Sequence, residues 1–337
     1  MAASPTGANA SVLYGFELTA GGADNFGSGA NLVNKAFGYN LDLSMTSDRS
    51  MNYSYGPGSR NWQSAKAGKY NGTWKGDFDL CDPWILETVI GPHGAISGSS
   101  GSYAATFSES DSPSTMEIDV CKAVVPGSTY SLTKYYGCSV KEASFGYEAG
   151  SDEPIRLSLS GEYSNEALSA PSSFTSQTLP DQAAPIIFAN VTVATSSNGT
   201  DYTTISHIDK LEVKIDNDTE HRWAGGSDKA VRRKYGERMY DISLTKLFDS
   251  SATLKQKLYG NSTGPTASNP TPIPYLKVTL AAEVSATMSW IFTNVYPGRR
   301  DEPTAGPKDE LTETVDLRAQ SCSVVLAGWD TTEPSRY

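Results

Sequence analysis

The chain has 337 residues, 38% of them hydrophobic and 10% aromatic, enough to bury a core and long enough to predict two domains. With 30 Gly, 18 Pro and abundant Ser and Thr, the composition suits strands joined by turns and excludes a disordered chain. Thirty-eight acidic against 27 basic residues give a net charge of -11, which opposes a broad phosphate-neutralising surface and so a nucleic-acid reader.

The start, MAASPTGANASVLYGFELT, carries neither a basic stretch nor the apolar run of a signal peptide, so a soluble chain made in a cytoplasm is expected. Next, Tyr39 to Thr46 alternates Leu41, Leu43 and Met45 with polar residues, the pattern of a half-buried strand. A glycine loop follows at 53 to 61. A second alternating strand then runs to Leu80, with Trp74, Phe78 and Leu80 on one side. Asp82-Pro83 predicts the start of a short helix over WILETVI, stopped at Gly91. Strands are predicted at 102–107, 114–122, 138–147 and 154–164.

Residues 166–185, rich in Ser, Pro and Ala, read as a linker. Beyond it the order recurs. Leu211, Val213 and Ile215 alternate with polar residues, a glycine loop spans 222–230, and Tyr240, Ile242 and Leu244 mark a second strand. Asp249-Ser250 caps a helix ending at Gly260, and strands follow at 274–283, 285–296 and 310–320. The same series is thus written twice, offset by about 165 to 170 positions. The boundaries read as an N-terminal arm (1–10), a first domain (11–165), the linker, a second domain (186–327) and a C-terminal tail (328–337). The most apolar stretch, Tyr275 to Tyr296, contains Lys277 and Glu283 and alternates, which fits a strand and not a membrane span.

The inventory of catalytic chemistry is thin. Cys81, Cys121, Cys138 and Cys322 are far apart and read as buried thiols, not as a zinc site or disulfide framework. His93, His207 and His221 belong to no nucleophile or metal motif, and no phosphate-binding glycine loop is present. The carboxylate pairs Asp77/Asp79 and Asp216/Asp218 read as solvated strand faces, and Asp216-Asn217-Asp218 as a turn without the later ligands of a calcium loop. No enzyme activity, cofactor or metal is expected. One basic cluster, Arg222, Lys229, Arg232, Arg233, Lys234 and Arg238, suits contact with an acidic neighbouring subunit.

Several segments together carry a resemblance: VLYGFELT, YNLDLSMT with YSYGPGSRN, KYNGTWKGDFDLCDPWILETVIG, YYGCSVKEASFGYEAGSDEPIRLSLSGEYS, and HIDKLEVKIDND with KYGERMYDISLTKLF. The chain resembles the tail tube (major tail) proteins of long-tailed, siphovirus-like bacterial or archaeal viruses. The resemblance implies a mainly β fold: two β-sandwich or barrel domains, each with a short flanking helix. Their strands would join those of neighbouring subunits in a 24-stranded inner barrel. Two such domains per chain imply a trimeric, pseudo-sixfold ring, with a hexamer as the alternative. Rings would stack into a tube in the virion tail, through which viral DNA passes without specific binding. Its partners would be the tape measure, tail terminator and distal tail proteins, and no membrane. A tube or hub of a contractile injection machine shares the fold. A carbohydrate-binding surface β-sandwich, with Tyr53, Tyr55 and Trp62 as its platform, is a different reading.

Within the tube reading, alternation assigns the strand faces. Opposite the apolar rows lie Asp42, Ser44, Thr46, Lys75, Asp77, Asp79, Lys210, Glu212, Lys214, Asp241, Ser243 and Thr245. These are expected to line the lumen, five acids against three bases. Tyr55, Arg60, Trp62, Arg222, Lys229, Arg232, Arg233 and Lys234 are expected in loops between subunits or rings.

Overall fold

The computed structural model describes residues 10–18, 25–99, 102–125, 129–151, 153–171, 186–247, 271–282, 286–301 and 311–329. Eighteen strands are described, all paired antiparallel. In chain order they are β1 (Ala10–Phe16), β2 (Tyr39–Tyr55), β3 (Trp62–Asp79), β4 (Tyr103–Phe107), β5 (Met116–Val125), β6 (Thr129–Glu148), β7 (Arg156–Tyr163) and β8 (Asn165–Ser169). Then come β9 (Val191–Ser196), β10 (Thr203–Thr204), β11 (Ile208–Asp216), β12 (Thr219–Arg222), β13 (Arg232–Tyr235) and β14 (Met239–Leu247). The last are β15 (Ile273–Ala281), β16 (Thr287–Asp301), β17 (Thr312–Ala319) and β18 (Ser321–Trp329).

One pairing scheme occurs twice. In the first half β2 pairs β3, β3 pairs β7 and β7 pairs β6, while β1 pairs β5, β5 pairs β6 and β6 pairs β8. In the second half β11, β14, β17 and β16 repeat the first series, and β9, β15, β16 and β18 repeat the second. β6 and β16 are long because each leaves one sheet and enters the other. Both bend at a residue with positive φ, Gly137 at 66° and Asn294 at 48°, followed by a bulge at Val140/Glu142 or Pro297/Arg299. The hydrogen bonds at these corners match: Ser164 N–H donates to Tyr136 O, and Gln320 N–H to Thr293 O.

The two four-stranded series are fused. β6 pairs β11, from Glu142↔Asp216 to Glu148↔Lys210, giving one sheet in the order β16-β17-β14-β11-β6-β7-β3-β2. A second crossing joins the halves on the other layer, where β4 pairs β18. The layers enclose one contiguous core. Tyr14, Phe37, Phe78, Trp84 and Phe107 fill its first half, and Tyr240, Trp290 and Phe292 its second. Phe145 bridges them, its ring centroid 4.8 Å from that of Trp290. The fold is therefore mainly β, as the alternation predicts. All four cysteines are buried and unpaired.

Several local expectations need correction. β2 runs on to Tyr55 and β3 starts at Trp62, so the predicted glycine loop shrinks to a tip; Tyr and Trp favour strand and the ladder continues. The expected helix at 84–90 is a single buried 3₁₀ turn, Trp84–Thr88, with Trp84 N–H donating to Asp82 Oδ1 at 2.9 Å. The helix expected after Asp249 lies outside the described residues. Residues 166–169 of the expected linker belong to β8, and β18 crosses the boundary set at 327. β18 reads SCSVVLAGW; its burial alternates, but the less buried face carries Val325 and Ala327 as well as serines, so residue type does not show the alternation.

Candidate assembly interface

The eight-stranded sheet has one apolar and one polar face. Register across the polar face sets Asp42 opposite Asp77, Ser44 opposite Lys75 and Thr46 opposite Thr73 on β2 and β3. On β11 and β14, Lys210, Glu212 and Lys214 stand opposite Thr245, Ser243 and Asp241. All twelve residues expected to line a lumen thus belong to one face. Glu142, Ser144, Ser158, Asp316 and Arg318, which sequence reading did not single out, share it through their registers. Their own strands alternate, so β6, β7 and β17 could have been read the same way.

Charges on this face are paired more than isolated. Lys75 lies 3.1 Å from Asp77, Lys214 3.3 Å from Glu142, and Arg318 2.7 Å from Asp241. Asp77 also accepts from Ser158 Oγ. Burial pushes the Asp77 carboxyl up, but Ser158 and Lys75 outweigh it and hold the group below its ordinary range. Asp79 departs from the expectation of an open channel residue. It is 3% exposed, because Asn40 Nδ2 donates to it at 2.6 Å and Arg156 lies over it at 3.8 Å.

Among the described residues both ends of the sheet are unpaired edges: β2 has β3 as its only partner, and the Tyr296–Asp301 part of β16 has only β17. Along β2 the core-face residues Leu41, Leu43 and Met45 are half-buried, lining a groove with Val12, Phe37, Val120 and Tyr135. On β11, which has neighbours on both sides, Leu211, Val213 and Ile215 are at most 1% exposed. The sequence patterns of the two rows are alike; only the neighbouring strand differs. A long, unpaired strand with half-exposed apolar residues is a template for another strand.

Beyond Asp48 the β2–β3 hairpin leaves the sheet as a ribbon. Tyr53, Tyr55 and Trp62 at its end are 52%, 64% and 56% exposed. Its base is held by the second half: Arg49 binds Asp228, Tyr70 N–H donates to Asp228 O, and Trp223 Nε1 donates to Tyr70 O. The corresponding segment after β11 behaves differently. There β12–β13 folds back over the ends of β6 and β7, and Asn217, Thr219 and His221 are buried. His221 N–H donates to Glu162 at 2.7 Å, and its Nε2 lies 3.0 Å from Ser139 Oγ. Burial, and then the charge of Arg233, lower the His221 pKa to about 3, so the ring is neutral.

The expected basic cluster divides accordingly. Arg233 faces inward, donating to Pro113 O at 3.0 Å and lying over Phe26, and Arg238 donates to Asn217, Ile90 and Ser110. Both are half-buried and held by these bonds within the chain. Arg222, Lys229, Arg232 and Lys234 are exposed, with Arg222 against Glu220. Among the described residues no group of His, Cys, Asp and Glu is placed to hold a metal ion, and no helix is long and apolar enough to cross a membrane.

Chains of contractile injection systems are among the solved structures that match this one. A sheath–tube complex of an extracellular contractile injection system in the extended state contains a chain 18% identical, with a TM-score of 0.33; the match covers 42% of this chain and 92% of that one. The baseplate of the anti-feeding prophage contains another at 17% identity and a TM-score of 0.31, covering 42% and 96%. No curated protein sequence matches the chain. The family model for phage tail tube protein matches residues 7–319. That span takes in the polar-faced sheet and both its edges, and the chain belongs to the phage tail tube protein family, a structural and not a catalytic one.

Proposed function

We propose that three copies of this chain close into a ring by pairing the β16 edge of one with the β2 edge of the next, and that rings stack into the tail tube of a long-tailed virus. The observation that carries this reading is the seam already present inside the chain. β6 and β11 are joined there, and the repeated pairing scheme makes β16 the counterpart of β6 and β2 the counterpart of β11. Eight strands per chain then give 24 in a closed barrel, with no edge left over. The two halves act as two tube units of a pseudo-sixfold ring.

The matching bulges fix the register. Glu142 corresponds to Arg299, and Asp216 to Asp48, so the in-chain pair Glu142↔Asp216 becomes Arg299 opposite Asp48 between copies. Opposite charges meet where the in-chain seam has two acids. The polar face lines the channel, and its excess of acids over bases gives the phosphates of passing DNA little to bind.

The test is microscopy with cross-linking. Purified protein is expected to form rings or tubes with an open lumen, and an Asp48→Cys/Arg299→Cys variant to give covalent species ending at three chains. Rings of six chains, or an assembled protein in which these cysteines do not join, would overturn the reading. A smooth tube that recruits no sheath separates the non-contractile tail from a contractile machine.

A further inference from the structure

We propose that the β2–β3 ribbon is a clasp: in the ring it lies on the β16–β17 end of the neighbouring copy, with Met51 and Tyr53 seated on that copy's Tyr296 and Arg318. The proposal rests on the ring reading above and adds a second, separate contact to it. Three observations lead there.

The ribbon is amphipathic. Met51, Tyr53 and Tyr55 alternate with Asn52 and Ser54, and register sets Ala67, Ala65 and Trp62 across from them. Tyr53 and Trp62 touch, with ring centroids 5.6 Å apart. Met51 is 43% exposed and the three aromatic residues more than half, so one face of a two-stranded ribbon is apolar and uncovered. An isolated ribbon of this kind gains stability by laying that face on another surface.

The second half shows what such a ribbon does when a neighbour is present. Register equates Thr219↔Tyr235 with Met51↔Ala67 and His221↔Arg233 with Tyr53↔Ala65; the glycine that follows, Gly236 or Gly68, is shared. In that ribbon Thr219 and His221 are 1% and 3% exposed, packed on Val140, Ser139 and Glu162 of the adjoining first half.

The receiving surface exists at the other edge of the chain. The corner geometry makes Tyr296 the counterpart of Ser139 and Arg318 the counterpart of Glu162. Tyr296 is 44% exposed, and with Pro297, Gly298 and Arg318 it lines a groove beside the unpaired edge. Register continued from Arg299 opposite Asp48 reaches Tyr296 opposite Met51. The chain thus carries an uncovered aromatic ribbon at one end and an uncovered tyrosine beside an arginine at the other. A second copy satisfies both, through aromatic contact and the stacking of a guanidinium on a ring.

The test mixes two single-cysteine chains, Met51→Cys and Tyr296→Cys, which can join only between copies; the native thiols are buried. Under mild oxidation after assembly a covalent dimer is expected, and the double variant should give a ladder that stops at three chains. Tyr53→Ala and Tyr296→Ala should each raise the concentration needed for assembly by about threefold to tenfold, the double variant no further than the larger single one. Both positions are exposed in the single chain, so folding is checked independently by circular dichroism. A ladder running past three would mean that the ribbon joins successive rings and would overturn the proposal. So would absence of the bond while the Asp48→Cys/Arg299→Cys bond forms. Loss of that second bond together with loss of rings would instead bring down the ring reading.

Discussion

His221 shows how one buried residue ties the two halves to pH. Its folded pKa, about 3, is below that of an exposed histidine, so as pH falls below about 6.5 the unfolded chain takes up a proton that the folded chain refuses. Stability is therefore lost toward acid, at up to about 1.4 kcal/mol per pH unit from this group. Glu17 and Asp119 act in the opposite sense: burial, joined for Asp119 by the nearby Glu117, raises each to about 7, so their contribution is lost as pH rises toward 7. The comparison that isolates His221 is His221→Gln, which keeps a polar group for Ser139. From pH 7 to pH 5 the unfolding midpoint of the variant should rise relative to the natural chain; a constant difference would show that the histidine is not held neutral. On the polar face, Asp42 and Asp77 stand opposite each other and are the two acids to change. On the proposed channel reading, Asp42→Lys with Asp77→Lys should leave ring formation intact and slow DNA release from particles, more so at low salt.

The seam between β6 and β11 is the element on which the single sheet depends. Gly146 lies in it opposite Glu212, and a Cβ there would sit 2.5 Å from the Leu211 carbonyl oxygen. Gly146→Val should therefore push the two strands apart at a cost of about 1–3 kcal/mol. Gly225→Ala, with nothing within 4 Å of the added carbon, should change nothing, and thermal melting compares them. Burial asymmetry between β2 and β11 is legible only at this scale. Leu41, Leu43 and Met45 alternate as cleanly as Leu211, Val213 and Ile215, yet the first row stays half-exposed because no strand flanks it.

For the whole molecule, the core decides whether the halves are independent. Phe145 of the first half and Trp290 of the second are in ring contact, and Trp290 is fully buried. Trp290→Ala should cost about 3–5 kcal/mol. Because the core is continuous, unfolding should remain one transition; two separate transitions would show halves that melt alone. At the level of the ring, Asp48→Arg should place two cations across the proposed seam and block assembly. Adding Arg299→Asp should restore it, with sedimentation reading both. Failure of the second change to rescue the first would put the register in error.

The sequence alone was enough for the strand class, the twofold series and the separation of polar from apolar faces. Alternation with period two is a local property of each strand and survives any arrangement of its neighbours. The same reasoning found the inner strands of both halves, and the resemblance carried by their order led to the tube family. Partnership is not local. That β6 joins β11, that β4 crosses to β18, and that β12–β13 folds over Ser139 and Glu162 while β2–β3 stands clear all depend on which backbone lies alongside, and no residue pattern records it. Arg233 and Asp79 mark the limit: both read as exposed charges, and both are committed inside the chain because residues far away in sequence, Pro113 and Phe26 for one, Asn40 and Arg156 for the other, close over them. Side-chain type sets what each position prefers; the tertiary structure decides which of those preferences are met within the chain and which are left for another copy.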